Sequence, residues 1–185
     1  MSKNKLNIVD DNDNIIGVEE REIIHAKGLL HREVHVYFVT PEKQIIFQHR
    51  AKDKDLFPDL LDATVGGHVE IGDSYEESAI KETFEETGVI IKASDLILVG
   101  KFCIKLEDKV NKKNNHAFQQ EYLYVYNGDI KDLKIEEGKG LGFEDWSIEK
   151  LLNIDDLEIK KFIPYIYKFT STTLIDFINN NISKI

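Results

Sequence analysis

The chain of 185 residues has one cysteine, Cys103, three prolines and one tryptophan. A lone cysteine excludes a disulfide framework and a thiol zinc site, and it suits a reducing, cytoplasmic setting. No stretch approaches the roughly 20 apolar residues of a membrane span. The opening Met1-Ser2-Lys3-Asn4-Lys5 is not followed by the apolar run of a secretory leader. Basic residues are scarce as well: 24 Lys and Arg against 34 Asp and Glu leave a formal net charge of −10. That balance argues against nucleic acid and anionic membranes as partners, since both call for basic patches. A small phosphorylated ligand stays open, because a bound cation inverts the local field. With 42% hydrophobic and 31% charged residues, the chain has the profile of a globular protein. Its length suits one domain, residues 1–185, with a proper core.

The acids are not spread evenly. Glu82, Glu85 and Glu86 stand at i, i+3 and i+4, which on a helix puts all three on one face. Like charges so placed repel by about 0.2–0.5 kcal/mol per pair. A hard divalent cation turns that repulsion into a site, since Mg²⁺ takes oxygen ligands and favours carboxylates with substrate phosphates. The competing reading is a solvated acidic face, and the flanks weigh against it. Ser74 followed by Glu77 reads as a capping box, and Gly88 as the left-handed stop. Gly66-Gly67 lets backbone approach a ligand closely. Ile80 and Phe84 are expected to pack inward, opposite the acids.

Elsewhere the chain reads as a succession of strands, hairpins and short helices. Residues 5–20 read as a hairpin with a plain acidic turn, and Glu19 to Lys27 as a short helix ending at Gly28. Val34–Val39 and Ile45–His49 read as strands joined at Pro41-Glu42-Lys43. Arg50, Lys52 and Lys54 form a basic island, suited either to an anionic substrate or to surface pairing with Asp53, Asp55 or Asp59. Leu96–Leu106 and Phe118–Tyr126 read as a hairpin, with Glu107 to Asn115 as a mobile connection. Glu121 lies in the second strand; it is either a base reaching toward the acidic helix or an exposed strand carboxylate. Trp146 reads as core, Ser147 as a helix cap, and residues 157–185 as terminal helices over the sheet.

The segment Gly67, Asp73, then Lys81-Glu82-Thr83-Phe84-Glu85-Glu86-Thr87-Gly88-Val89 resembles the signature box of the Nudix hydrolases. That box runs Gly, five residues, Glu, seven residues, Arg-Glu-apolar-x-Glu-Glu-x-Gly-apolar. The spacing matches throughout, with Asp73 for Glu, Lys81 for Arg and Thr83 for an apolar residue. The resemblance implies the Nudix fold, an α+β chain folded as an α-β-α sandwich, with a mixed β-sheet flanked by helices and the box at residues 67–89. It also implies water attack on a diphosphate, assisted by Mg²⁺ (Mn²⁺ in its place). Gly67, Glu82, Glu85 and Glu86 would hold the metal, Glu82 or Glu121 would be the base, and Asp73 with Lys81 would brace the box. Arg50 and Lys54 would bind a small-molecule diphosphate, such as a nucleoside diphosphate derivative. A homodimer is compatible with this reading.

Leu30-His31-Arg32, Gln48-His49-Arg50, Phe57-Pro58 and Val65-Gly66-Gly67-His68 are similar to the Nudix subgroup around type I isopentenyl-diphosphate isomerases. Those enzymes carry a catalytic cysteine where this chain has Gly66, and their box lacks the full glutamate set. The hydrolase reading is therefore favoured over a prenyl-diphosphate isomerase or phosphatase, and over a ligand-binding module without catalysis. The same likeness makes His25, His31 and His68 candidates for a second metal site, with His35, His49 and His116 structural or at the surface.

Overall fold

The computed structural model describes residues 4–54, 56–108, 113–136, 138 and 140–181. Strands β1 (Lys5–Val9) and β2 (Ile15–Glu20) form a two-stranded antiparallel sheet. Helix α1 (Arg21–Lys27) follows and ends at Gly28, whose φ of 63° is the left-handed stop. A seven-stranded mixed sheet comes next: β3 (His31–Val39), β4 (Gln44–Arg50), β5 (Leu61–Asp62), β6 (Val65–His68), β7 (Ile97–Asp108), β8 (Lys113–Val125) and β9 (Gly140–Ser147). β3 runs parallel to β8, and the other pairings are antiparallel.

Strand β3 is where the sheet forks. It pairs with β4 at Phe38 and Val39 and with β6 from Glu33 to Val36. Two strands thus leave the same edge of β3 in different directions. At the fork, the buried Thr64 hydroxyl donates to Ile46 O and accepts from Phe38 N at 2.8 Å. One side chain replaces the ladder bonds that the diverging backbones no longer make.

Alternation along β3 sorts the core into two layers. Val34, Val36 and Phe38 face α2 (Tyr75–Thr87), with Val65, Ala79 and Tyr122 in the same layer. Tyr37 and Val39 face α5 (Pro164–Phe169) and α6 (Ile175–Asn180), through Ile166, Phe169 and Ile178. The short α3 (Ile148–Leu152) and α4 (Asp156–Ile159) precede them, and a π-helical turn, Thr170–Leu174, joins α5 to α6. Burying each of these large apolar side chains contributes about 1.5–3 kcal/mol before entropy is subtracted. Trp146 is buried, and Ser147 Oγ accepts from Lys150 N at 3.1 Å, as the sequence predicts. None of the helices among the described residues is long and apolar enough to cross a membrane.

Two expectations are corrected by the fold. The polar connection is shorter than Glu107–Asn115, because the β7–β8 ladder reaches Asp108 and Lys113 and leaves residues 109–112 outside the described set. The box helix is also turned about its axis: Phe84 is 55% exposed, whereas Ser78, Ala79, Glu82, Thr83, Glu86 and Thr87 are buried. The acidic side of the helix, and not Phe84, faces the sheet.

Candidate active site

Helix α2 is fixed at both ends. Ser74 Oγ accepts from Glu77 N at 3.2 Å, Glu77 Oε2 accepts from Ser74 N at 2.8 Å, and Gly88 closes the last turn with φ 72°. So anchored, the helix directs Glu82 and Glu86 into the fork between β4 and β6, while Glu85 stays exposed at its mouth. Buried carboxylates are costly unless they find donors or a cation. Glu86 Oε2 accepts from Gly66 N and from Gln48 Nε2, both at 3.2 Å. Glu82 lies against Gly67 so closely that a Cβ there would fall 2.3 Å from the Glu82 Cδ. Only glycine permits that approach. A glycine cradle and a set of oxygen-only donors fit a hard divalent cation.

These carboxylates line a cavity of about 940 Å³, together with Gln48, Arg50, Lys54, Glu136 and the imidazoles of His25, His35 and His68. Arg50 is largely committed: its guanidinium donates to Asp62 Oδ2 at 2.6 Å, Leu56 O at 2.9 Å and Phe57 O at 3.2 Å. It shapes the loop that carries Lys54, instead of standing clear for a substrate. Lys52 lies 4.0 Å from Asp59 at the surface. The brace expected between Asp73 and Lys81 is replaced by an ion pair of Lys81 with Glu70, which also lines the cavity. The hydrogen bond from Glu70 raises the Lys81 pKa, with Asp73 acting from further off.

Beside this site His25, His31 and His68 meet as expected, with ring centroids 5.2–5.3 Å apart in every pair. Glu33 joins them, and one ligand atom from each of the four lies within 4.8 Å of the others. Glu33 Oε1 is 3.4 Å from both His31 Nε2 and His68 Nε2, and His25 Nε2 is 3.2 Å from His68 Nε2. His31 Nδ1 donates to Leu29 O at 3.0 Å, and its fully buried Nε2 faces the cluster, 3.4 Å from Glu33 Oε1. Burial opposes charge on that ring, but Glu33 outweighs it and raises the His31 pKa. Burial, then the charge of His31, lowers the His25 pKa to about 4, and burial holds His68 well below its ordinary value. Burial works against the Glu33 carboxylate, yet the hydrogen bond from His31, with that from Asn115, brings its pKa far down. Two neutral imidazoles and one firm carboxylate around a common point fit a divalent cation.

The second candidate base is placed differently from expectation. Glu121 is fully buried and does not line the cavity; it faces Tyr165 Oη at 3.1 Å and His35 Nδ1 at 3.4 Å, and not helix α2. His35, read from sequence as structural or at the surface, therefore stands between Glu121 and the cavity. Burial opposes a charged His35 ring and Glu121 favours it, and between them they raise the imidazole to about 9. Gln119 stands against that charge: its Nε2 lies 2.9 Å from His35 Nε2 and 3.2 Å from Glu33 Oε2. An amide nitrogen between two acceptors needs a lone pair on His35 Nε2. Turning the amide would set its oxygen against the Glu33 carboxylate, so this contact geometry outweighs the pull of Glu121 and puts the ring proton on Nδ1. His49 and His116 lie apart, on Asp59 Oδ1 at 3.0 Å and Gly28 O at 3.3 Å.

The NUDIX domain family model matches residues 29–172. An uncharacterized Nudix hydrolase of Clostridium acetobutylicum is 30% identical over 162 residues, covering 86% of this chain and 77% of its own. Among solved structures, the Deinococcus radiodurans protein DR0079 superposes with a TM-score of 0.64 at 24% identity, over 80% of this chain and 86% of that one. The NUDIX domain of Shewanella oneidensis NrtR, complexed with ADP ribose, does so with 0.56 at 14% identity, over 83% and 87%. Both likenesses are of fold. The family model and the clostridial relative, falling on the same capped helix and glycine cradle, show that this chain belongs to the NUDIX domain family and is a Nudix pyrophosphohydrolase.

Proposed function

We propose that the protein hydrolyses a diphosphate linkage in a nucleoside diphosphate derivative, with a divalent cation bound at the box. The observation that carries this reading is the pair of buried carboxylates, Glu82 and Glu86, set against Gly66-Gly67 on the wall of the cavity. Glu82, Glu85 and Glu86, with backbone at Gly67, would hold Mg²⁺, or Mn²⁺ in its place. When bound, the ion neutralises phosphate charge and makes an attacking water more acidic. Water attacks phosphorus, the bond from phosphorus to the bridging oxygen breaks, and Glu82 takes the proton. Lys54 meets the outer phosphate from the loop that Arg50 clamps. Glu82 is favoured over Glu121 as base because Glu121 does not line the cavity.

The cluster of His25, His31, Glu33 and His68 is proposed as a second cation site. Its nitrogen-rich donor set suits a borderline ion such as Zn²⁺ better than Mg²⁺. A prenyl-diphosphate isomerase is disfavoured: Cys103 is exposed on β7, 3.8 Å from His116 and outside the cavity lining. We also propose a homodimer, with β2 and its exposed Ile15, Ile16 and Val18 as the contacting strand; light scattering tests it.

The test is product release from nucleoside di- and triphosphates, nucleotide sugars, dinucleotides, ADP-ribose and isopentenyl diphosphate, with Mg²⁺, with Mn²⁺ and with chelator. ADP-ribose is included because it is a nucleoside diphosphate derivative and the Shewanella NUDIX domain is complexed with it. Metal-dependent cleavage of one class is the expected result. Tight binding without turnover on the whole panel would replace hydrolysis with a ligand-binding role.

A further inference from the structure

Strand register arranges a block of polar side chains on one face of the sheet. His68, Glu33 and Gln119 are paired across β6, β3 and β8, and Gly66, His35 and Glu121 form the adjoining row. Residues two apart on a strand share a face, so the two rows lie side by side. The glycine has a steric reason: a Cβ on Gly66 would come 3.0 Å from His35 Cδ2. The first row belongs to the histidine cluster, and the second borders the cavity that holds the box glutamates. Gln119 is hydrogen-bonded in both.

The two oxygens of Glu33 are used differently. Oε1 faces the nitrogens of His31 and His68, at 3.4 Å each. Oε2 accepts from Gln119 Nε2 at 3.2 Å, and Asn115 Nδ2 reaches both oxygens, at 3.1 and 2.9 Å. The same Gln119 nitrogen lies 2.9 Å from His35 Nε2, while its Oε1 is buried without a partner. An amide that leaves its oxygen unsatisfied in order to spend its nitrogen on two neighbours is held there by those neighbours.

We propose that Gln119 is a positioning residue that joins the two sites: its amide aims Glu33 Oε1 at the histidine cluster and holds the His35 ring beside Gly66. The inference rests on the cluster being a cation site. Outer partners of a ligand tune affinity by roughly 10–100-fold, and Glu33 has two, Asn115 and Gln119, of which Gln119 alone also touches His35. A cation drawing on Glu33 changes the hydrogen bond at Oε2, and the amide carries the change to His35.

The experiment is a Zn²⁺ titration of the wild-type protein, Gln119→Met and Glu33→Gln by calorimetry, with ¹⁵N spectra of the His35 ring recorded before and after. Methionine keeps the shape and removes the donor, and thermal unfolding of each variant checks that the fold is retained. Glu33→Gln is expected to abolish tight Zn²⁺ binding. Gln119→Met is expected to weaken it roughly 10–100-fold and to leave the His35 ring signals unmoved by Zn²⁺, which shift in the wild type. Wild-type affinity in Gln119→Met, or a His35 shift of the same size in that variant, overturns the role of Gln119 while the cation site stands. Absence of Zn²⁺ binding by the wild type, or binding unchanged in Glu33→Gln, overturns the cation site itself and the inference with it.

Discussion

Gly66 and Glu86 lie 20 residues apart and are joined by one hydrogen bond, from the Gly66 amide to Glu86 Oε2 at 3.2 Å. The bond ties the glycine strand to the last turn of the box helix and fixes a carboxylate on the cavity wall. Glu86→Gln and Glu82→Gln are each expected to lower kcat by about 10²–10⁴-fold with circular dichroism and melting temperature little changed. Full turnover in either variant would remove that carboxylate from the chemistry.

Gly67→Ala tests the cradle. The new methyl would sit 2.3 Å from the Glu82 Cδ, so the carboxylate must move aside. Displacing a reacting group by about 1 Å costs on the order of 10²-fold in rate. The expected signature is a fall of that size in kcat, far beyond any change in substrate affinity. A variant with wild-type kcat would mean that Glu82 works from another position.

Acid stability is expected to depend on Asp13, in the turn between β1 and β2. Its carboxylate accepts from Arg32 Nε at 2.6 Å, Lys101 Nζ at 2.8 Å and Tyr75 Oη at 3.0 Å. Burial opposes the charge, but these donors outweigh it and hold the pKa below its ordinary 3.8. A depressed carboxylate contributes stability that is complete above 3.8 and is lost as pH falls through its folded value. Asp13→Ala is expected to cost about 1–3 kcal/mol near neutral pH and to flatten stability against pH in the acid range. Urea melts at pH 7 and pH 3 check both; a variant with the wild-type acid slope would place the transition elsewhere.

The histidine cluster should appear in melting curves. A cation at about 100 times its Kd stabilises the fold by about 2.7 kcal/mol. Zn²⁺ is expected to raise the melting temperature of the wild type, chelator to reverse the rise, and His68→Ala to abolish it. An equal rise in His68→Ala would assign the ion to other ligands.

What could be read from sequence divides by distance along the chain. Ser74, Glu77 and Gly88 act within a single helix, so capping chemistry alone gave its ends. The turn of that helix about its axis was not legible, because carboxylates on the buried side run against the usual apolar face and let Phe84 pass for core. Lys81 meets Glu70 across a turn whose path no local pattern describes. Glu33 did leave a trace: His31, Glu33 and His35 alternate on one strand and so share a face. Gln119 left none, being 86 residues from Glu33 and brought beside it only by the parallel pairing of β3 with β8.

The fork at Thr64 places a limit on how regular this sheet can become. β3 spends its edge twice, on β4 for two residues and on β6 for four. Extending the β3–β4 ladder toward His35 would displace β6, and the Gly66 amide would then lose its place opposite Glu86. Substitutions that improve strand pairing at this point should therefore yield a tighter, more cooperative fold that no longer turns over substrate. The active site survives because the sheet is left incomplete there.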